Sequence, residues 1–415
     1  MRLVADLHLH SRFSLATSQA MVVPEMARWA KRKGIDLLGT GDFTHPEWLE
    51  HLHSELTDTS NGVYEAHGTR FLLSAEVAVL WRQAGKGRRV HLILLAESLD
   101  DAAAVARALD PFGKLASNGR PMLKASMIDV LDAIWNVAPT VEVIPAHVWT
   151  PWYSLFGSKS GFNSPEACFG PHTPRIRALE TGLSSDPAMN RLISSLDRYS
   201  LVSFSDAHSP RNLGREATIL DLPSVSFAGV IDAIAGRGPG RIAETVEFHP
   251  QQGKYYFDGH RRCGVVWDPA QTMAADGSCP VCGKPLTYGV LHRILAFANQ
   301  DQDQVQDQAQ GRDRPRDRRN PIEPVPYVRV IPLEQILSQA FATGVSTRRV
   351  QRAYEALISE VGTELHVLRE ATEDRLAGAA SVEIAGAIVA ARNGSVEIAP
   401  GYDGKYGAVT IRMER

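Results

Sequence analysis

Two short motifs set far apart in the chain have the spacing of metal ligands: His8-Leu9-His10 and Asp206-Ala207-His208. In an extended segment, side chains two positions apart share a face, so each pair can grip one ion. Glu76 lies inside the apolar run Leu72-Leu73-Ser74-Ala75-Glu76-Val77, and His91 inside Val90-His91-Leu92-Ile93-Leu94. His147 follows Val143-Ile144-Pro145-Ala146, and Asp42 follows Leu37-Leu38-Gly39-Thr40-Gly41. A polar group buried in such a run needs a partner for its charge or hydrogen bonds. Any one of these residues alone reads as a core residue with a hydrogen bond, or as a turn. Five histidines and three acids with the same placement are better explained by one shared site. Imidazole with carboxylate suits Zn²⁺, Mn²⁺ or Fe²⁺.

The elements that must position these groups are legible as short apolar runs. Strands are expected at Leu3–Leu9, Ile35–Thr40, Phe71–Val79, Val90–Leu95, Val141–Ala146, Ala178–Thr181 and Leu201–Phe204. Amphipathic stretches at Pro24–Lys33, Ala125–Val137 and Met189–Leu196 read as helices, the first opening on a proline and closing at Gly34. Strands joined through helices predict a parallel α/β architecture, a barrel or an open sheet. The metal-type residues fall repeatedly at strand ends, which is where α/β barrels collect their chemistry, so a barrel fits the pattern.

At 415 residues the chain is longer than one ordinary domain, and 44% hydrophobic with 22% charged residues supports a sizeable core. A net charge of −3 argues against a protein that coats nucleic acid through a broadly basic surface. It does not exclude nucleic acid, because an acidic metal site offsets basic patches in the total. The start of the chain enters a strand pattern at once, and no long apolar run is present. A cytoplasmic, nucleoid-associated protein with no membrane contact is therefore expected. Composition divides the chain into a barrel over 1–250, a metal-binding module over 251–298, a linker over 299–322 and a C-terminal domain over 323–415. The linker is mostly Asp, Gln and Arg and reads as flexible. Helices are expected beyond it at Leu333–Ala342, Thr347–Gly362 and Thr363–Ala371, then short terminal strands around Gly401-Tyr402-Asp403-Gly404.

The motifs Asp6-Leu7-His8-Leu9-His10, Gly39-Thr40-Gly41-Asp42, Ala75-Glu76-Val77, Val90-His91-Leu92, Pro145-Ala146-His147 and Ser205-Asp206-Ala207-His208 resemble the polymerase and histidinol phosphatase (PHP) family. The resemblance implies a distorted seven-stranded βα barrel holding two or three divalent ions (Zn, Mn, Fe or Mg). It implies that His8, His10, Asp42, Glu76, His91, His147, Asp206 and His208 are ligands, with Glu76 bridging two ions. Glu76, Asp206 and His208 are then the residues closest to the chemistry. The family usually carries histidine directly after the second-motif acid, whereas Phe43 stands here, and His45 is the residue that could fill the gap. Clustered divalent ions would activate a shared water for in-line attack on a phosphate and stabilise the leaving oxygen, with no serine or cysteine nucleophile required.

His260-Arg261-Arg262-Cys263 and Cys279-Pro280-Val281-Cys282 each offer two ligands of a tetrahedral site, so His260, Cys263, Cys279 and Cys282 read as one structural Zn²⁺ site. The alternative is that His260 stands aside and another residue completes it. Cys168 lies far from them and reads as an isolated thiol.

The order barrel, cysteine module and helical tail resembles, within that wider family, the endonuclease Q family. The carrying runs are Ile144–Pro151 with Trp152, Gly182-Leu183-Ser184-Ser185-Asp186, Asn190, Ser205–Ser209, Gly289-Val290-Leu291 and Gly401–Gly407. The resemblance implies nicking of DNA on the 5′ side of deaminated bases (uracil, hypoxanthine, xanthine) and abasic sites. Partners would be double- or single-stranded damaged DNA, with replication or repair proteins. A base under inspection must leave the stack. Trp149, Trp152 and Phe156 are expected to stack on it, and backbone amides near Gly157, Ser158 and Gly161 to bond its edge. The other reading is that these aromatics pack the barrel rim. Arg348, Arg349 and Arg352 fall on neighbouring positions of one helix and would meet phosphates, or form an ordinary solvated face. Two competing functions are a histidinol-phosphatase-like phosphomonoesterase and a non-catalytic DNA-binding accessory protein.

Overall fold

A computed structural model describes residues 1–309 and 324–413. Its strands run, in chain order, β1 (Arg2–Asp6), β2 (Leu37–Gly39), β3 (Thr57–Asp58), β4 (Tyr64–Ala66), β5 (Thr69–Gln83), β6 (Lys86–Ala96), β7 (Met122–Leu123), β8 (Glu142–Pro145), β9 (Ala178–Glu180), β10 (Ser200–Val202), β11 (Ala217–Asp221) and β12 (Arg241–Glu247). All seven runs expected as strands are strands. The pairing is mixed rather than parallel. β1, β2 and β5 pair in parallel, as do β9 and β10, but β5–β6, β6–β8, β1–β11 and β11–β12 are antiparallel. For β5–β6 the reason lies at Ala84-Gly85, where φ of 49° and 77° makes a two-residue turn. Such a turn folds β6 straight back on β5 with no crossover helix.

Single backbone contacts link the strands that carry the site. Leu9 bridges Ala207, joining the end of β1 to the end of β10, and Val148 N donates to Glu180 O at 3.1 Å, joining β8 to β9. With the paired strands, these contacts bring the ends of β1, β2, β8, β9 and β10 around the middle of β5 and β6, where Glu76 and His91 stand. Helices Val23–Lys33 and Met127–Val137 form as expected, and the first closes at Gly34 in the left-handed conformation. Met189–Leu196 does not form one helix. Asp186 caps a single turn at Pro187–Asn190, and a separate turn follows at Ser194–Leu196.

The segment 251–298, expected as a metal-binding module, carries the hairpin β13 (Asp258–His260) and β14 (Val265–Trp267). Helix Val290–Ala309 then runs through the first part of the segment expected as a linker. Its first turns are anchored by buried Val290, Ile294 and Phe297, and a helix already nucleated propagates readily through Gln. The rest of that linker, 310–322, lies outside the described residues.

β15 (Tyr327–Arg329) extends the main sheet beside β12. Five helices follow: Leu333–Ala340, Arg348–Glu360, Glu364–Arg369, Glu373–Ala379 and Val382–Arg392. The last two were not expected, because one is two turns long and the other is apolar nearly all round, which hides its period. β16 (Val396–Ala399) and β17 (Ala408–Ile411) form the terminal hairpin. A second hydrophobic core joins this domain to the sheet, extending from Val350, Tyr354 and Leu357 in the domain to Ala217, Ile219 and Val246 in the sheet. Among the described residues, no helix is long and apolar enough to cross a membrane.

Candidate metal centre

Glu76 stands at the centre of the site. It pairs with Ile93 across the β5–β6 ladder, and Ala78 pairs with His91, so Glu76 and His91 are diagonal neighbours on one face. Glu76 Oε1 lies 2.5 Å from His91 Nδ1 and 3.1 Å from His147 Nε2. Its Oε2 lies 3.1 Å from His10 Nε2, 3.6 Å from His8 Nε2 and 3.0 Å from an Arg120 guanidinium nitrogen. Asp206 Oδ1 sits 3.1 Å from His10 Nε2 and 3.7 Å from His8 Nε2. Ligand atoms of His8, His10, Glu76 and Asp206 are all within 4.8 Å of one another, and so are those of Glu76, His91 and His147. One carboxylate therefore belongs to two ligand groups.

Six of the eight expected ligands meet in this way, and the other two flank them. Asp42 Oδ1 lies 3.1 Å from His10 Nδ1, the ring nitrogen turned away from Asp206, while its Oδ2 accepts from Ser11 N, Ser11 Oγ and Ser14 Oγ. That arrangement fixes the ring and tautomer of His10. The His208 ring centre is 4.4 Å from that of His10, and its Nδ1 is 3.6 Å from Asp206 Oδ1. His45 does not join either group. Its Nε2 meets Ala116 O at 3.2 Å and its ring stacks on Phe13.

Three of these residues hold left-handed backbones without being glycine: Asp42 (φ 50°), His147 (φ 32°) and Asp206 (φ 46°). Each such residue costs about 1–3 kcal/mol and persists where surrounding contacts over-determine it, commonly at functional sites.

Two residues escaped the sequence reading. Glu180, at the end of β9, places Oε1 2.8 Å from His8 Nδ1 and accepts from His147 N at 2.7 Å through Oε2. It thereby braces one member of each ligand group. Its signal was the same as that of the others, an acid ending the apolar run Ala178-Leu179. Arg120 had no such signal, since it lies in an irregular segment before β7.

Electrostatics separates the roles. Burial alone would raise the Glu76 pKa, but His91, Arg120 and His8 around it hold the carboxyl well below its usual value. Burial likewise opposes ionisation of Asp206, and contact with His10 and His8 overcomes it in the same direction. Burial drives His91 down to about 4, leaving the neutral imidazole that binds metal.

The donor set fits divalent ions. His8 Nε2 is fully buried and has no hydrogen-bond partner, although two carboxylates stand just beyond reach. His91 Nδ1 and His147 Nε2 are 3.2 Å apart, close to the separation of about 3.4 Å between tetrahedral nitrogen ligands on one ion.

His260, Cys263, Cys279 and Cys282 also come together, with all four ligand atoms within 4.8 Å of one another. Each ligand pair is followed by a glycine, Gly264 (φ 67°) and Gly283 (φ 70°), which lets the chain turn sharply behind the ligands. Burial pushes the Cys279 thiol up, but bonding from His260 and the backbone amides of Val281 and Cys282 brings it down to about 6. A thiolate there is a ready ligand. Cys168 is buried and isolated, as expected.

The residues expected to read a base divide. Trp149 and Phe156 are fully buried, 4.8 Å apart between ring centres and both against Phe297. Trp149 Nε1 also donates to Asn190 Oδ1 at 2.7 Å. Withdrawing either ring from this packing costs on the order of 3–5 kcal/mol, so these two are rim packing rather than stacking surfaces. The Gly161 amide is already bonded to Gly157 O, whereas Ser158 is exposed. Trp152 is 38% exposed and rests its ring against Tyr255. Arg348, Arg349 and Arg352 are exposed on the helix Arg348–Glu360, with Arg349 over the Phe341 ring.

Six of the ligands implied by the resemblance to the PHP phosphoesterases thus meet on a mixed α/β scaffold. Residues 332–395 match the family model of the MJ0043 C-terminal domain. Over 98% of its length the chain is 28% identical to the uncharacterized protein YqxK of Bacillus subtilis (strain 168), covering 99% of that protein. Its structure resembles that of the lesion-specific endonuclease PfuEndoQ from Pyrococcus furiosus, with a TM-score of 0.84 and 30% identity over 99% of this chain and 96% of that one. It also resembles an endonuclease Q in complex with a 27-mer duplex substrate carrying an abasic lesion at the active site, with a TM-score of 0.84 and 31% identity over 99% and 97% of the two chains. The chain belongs to the endonuclease Q family.

Proposed function

We propose that this protein is a metal-dependent endonuclease that hydrolyses DNA on the 5′ side of deaminated bases and abasic sites. The observation that carries the reading is the full-length likeness to a lesion-specific endonuclease, combined with the gathering of His8, His10, His91, His147 and Asp206 around Glu76 in this chain. We read the strand ends gathered around the middle of β5 and β6 as the mouth of a distorted seven-stranded βα barrel, with two or three ions of Zn, Mn, Fe or Mg held there. Bound divalent ions would supply an activated water and hold the phosphate.

The chain's own residues do the rest. Glu180 and Asp42 orient His8 and His10 from behind. Asp206, a ligand-group member, and His208 beside it have side chains 25% and 29% exposed, so a phosphodiester can reach both. Arg120, paired with Glu76, brings a cation beside the phosphate position. His260, Cys263, Cys279 and Cys282 would hold a structural Zn²⁺. Exposed Trp152 and Ser158, with Arg348 and Arg349 further off, are the proposed DNA contacts.

A duplex with one deoxyuridine or deoxyinosine, incubated with the protein and Mn²⁺ or Mg²⁺, should be nicked beside the lesion, and Asp206→Ala should abolish the cut. Equal cutting of undamaged duplex would remove the lesion-specific part of the proposal. Release of phosphate from phosphomonoesters with no DNA cutting would favour the phosphatase alternative.

A further inference from the structure

The segment Gly401-Tyr402-Asp403-Gly404-Lys405-Tyr406-Gly407 joins β16 to β17 and is pressed into the module of residues 250–260. Gly401 N donates to Gln251 O at 2.8 Å, Gly404 N to Lys254 O at 2.9 Å and Gly407 N to Gln252 O at 3.1 Å, while Phe257 N returns a bond to Gly401 O. A Cβ on Gly401 or Gly407 would lie 2.2–2.3 Å from the carbonyl oxygens of Gly253 and Gln251, so only glycine allows so close a seat. The acid of the loop, Asp403, is taken up by the backbone amide of Arg261 at 2.6 Å.

What this seat leaves outward is a continuous run of aromatic and cationic side chains. Trp152 meets Tyr255 edge to face at 5.2 Å. The Tyr255 hydroxyl and an Arg261 guanidinium nitrogen both border Gly404. Lys254 lies 4.6 Å over the Tyr406 ring, and Tyr406 is 69% exposed with Lys405 beside it, also exposed. The inner end adjoins the metal centre, because Thr150 Oγ1 is 3.2 Å from His147 Nδ1 and donates to Trp152 O. Rings alternating with cations on a ridge suit an unpaired nucleic-acid strand, whose bases stack on the rings while the cations meet its phosphates. A closed duplex hides its base faces and would use the cations alone.

We propose that Trp152, Tyr255, Lys254, Tyr406, Lys405 and Arg261 form a stacking platform for single-stranded DNA leading away from the metal centre. The proposal rests on the DNA-cleaving function above and names where the opened strand lies.

The test is fluorescence anisotropy of a labelled oligothymidylate of about ten nucleotides, which no lesion makes a substrate, against the whole metal-loaded protein. Tyr255→Ala and Tyr406→Ala should each weaken binding about tenfold, and should weaken binding of an undamaged duplex of equal length much less. Tyr406→Ala alters an exposed side chain, so its melting temperature should match that of the parent protein and its binding result can be read directly. Unchanged affinity in that variant, or a parent protein that binds oligothymidylate no better than duplex, overturns the platform. If the parent protein nicks no lesion duplex but the variants still lose oligothymidylate, the platform stands and the lesion-endonuclease reading falls.

Discussion

Glu180 shows how much of a metal site lies behind its ligands. Its two oxygens reach one member of each group, the His8 ring and the His147 backbone. Replacing it by alanine should lower metal affinity by about 10–100-fold, as loss of such bracing carboxylates does, and chelator competition measures this without any substrate. Glutamine keeps an acceptor and should recover part of the loss. A second buried acid makes a pH prediction. Burial, with Asp186 nearby, raises Glu247 from 4.5 to about 8. Above pH 4.5 the unfolded chain ionises this group while the folded chain keeps its proton, so the position costs stability progressively up to about pH 8 and fully beyond it. Glu247→Gln should therefore raise the melting temperature more at pH 9 than at pH 5. Equal shifts at the two pH values would contradict the assignment. At this scale the sequence was readable wherever a polar group interrupted an apolar strand. It was silent for Arg120, whose role depends on a loop arriving from elsewhere.

Among the elements, the cysteine module would depend most on the ion proposed for it. Its own core is Val265, Cys279 and Leu286, too little apolar surface to hold a fold alone. Cys282→Ser should make the segment around residues 258–286 sensitive to protease while the melting of the main body stays where it is. Protection equal to the parent protein would mean the module folds without metal. The ligand spacing made this element legible, because each pair sits in one tight turn. The β5–β6 hairpin was not. Ala84-Gly85 lies in a stretch of charged and small residues that gives a parallel crossover or a tight turn equally well, and the choice is settled by the eleven-rung ladder that follows. Helix Val382–Arg392 was hidden for the opposite reason, since an apolar helix covered on several sides carries no periodic signal.

The whole molecule is tied together by charge as well as by its second core. Lys33, at the end of the first helix, is buried with Glu364 at 2.7 Å, and Glu364 also accepts from the Tyr354 hydroxyl and from Leu333 N. Removing one partner of such a pair leaves the other buried and uncompensated, so Lys33→Met should cost about 3–5 kcal/mol in unfolding free energy, measured in denaturant. The double variant with Glu364→Gln should recover much of that. No pattern in the sequence joins position 33 to position 364, so the packing of the two main bodies was out of reach even though both were foreseen separately.

That pairing also has a consequence in time. A ribosome makes the strands of the metal centre and the first helix long before it makes Glu364, so for much of synthesis the Lys33 ammonium stays in water and its helix lacks a cover. The ridge beside the metal centre waits longer still, because its outer ring and cation arrive with Tyr406 and Lys405. In a growing chain the strands that carry the metal ligands would thus be made before Tyr406, and the proposed hold on a DNA strand would begin only once the terminal hairpin is made.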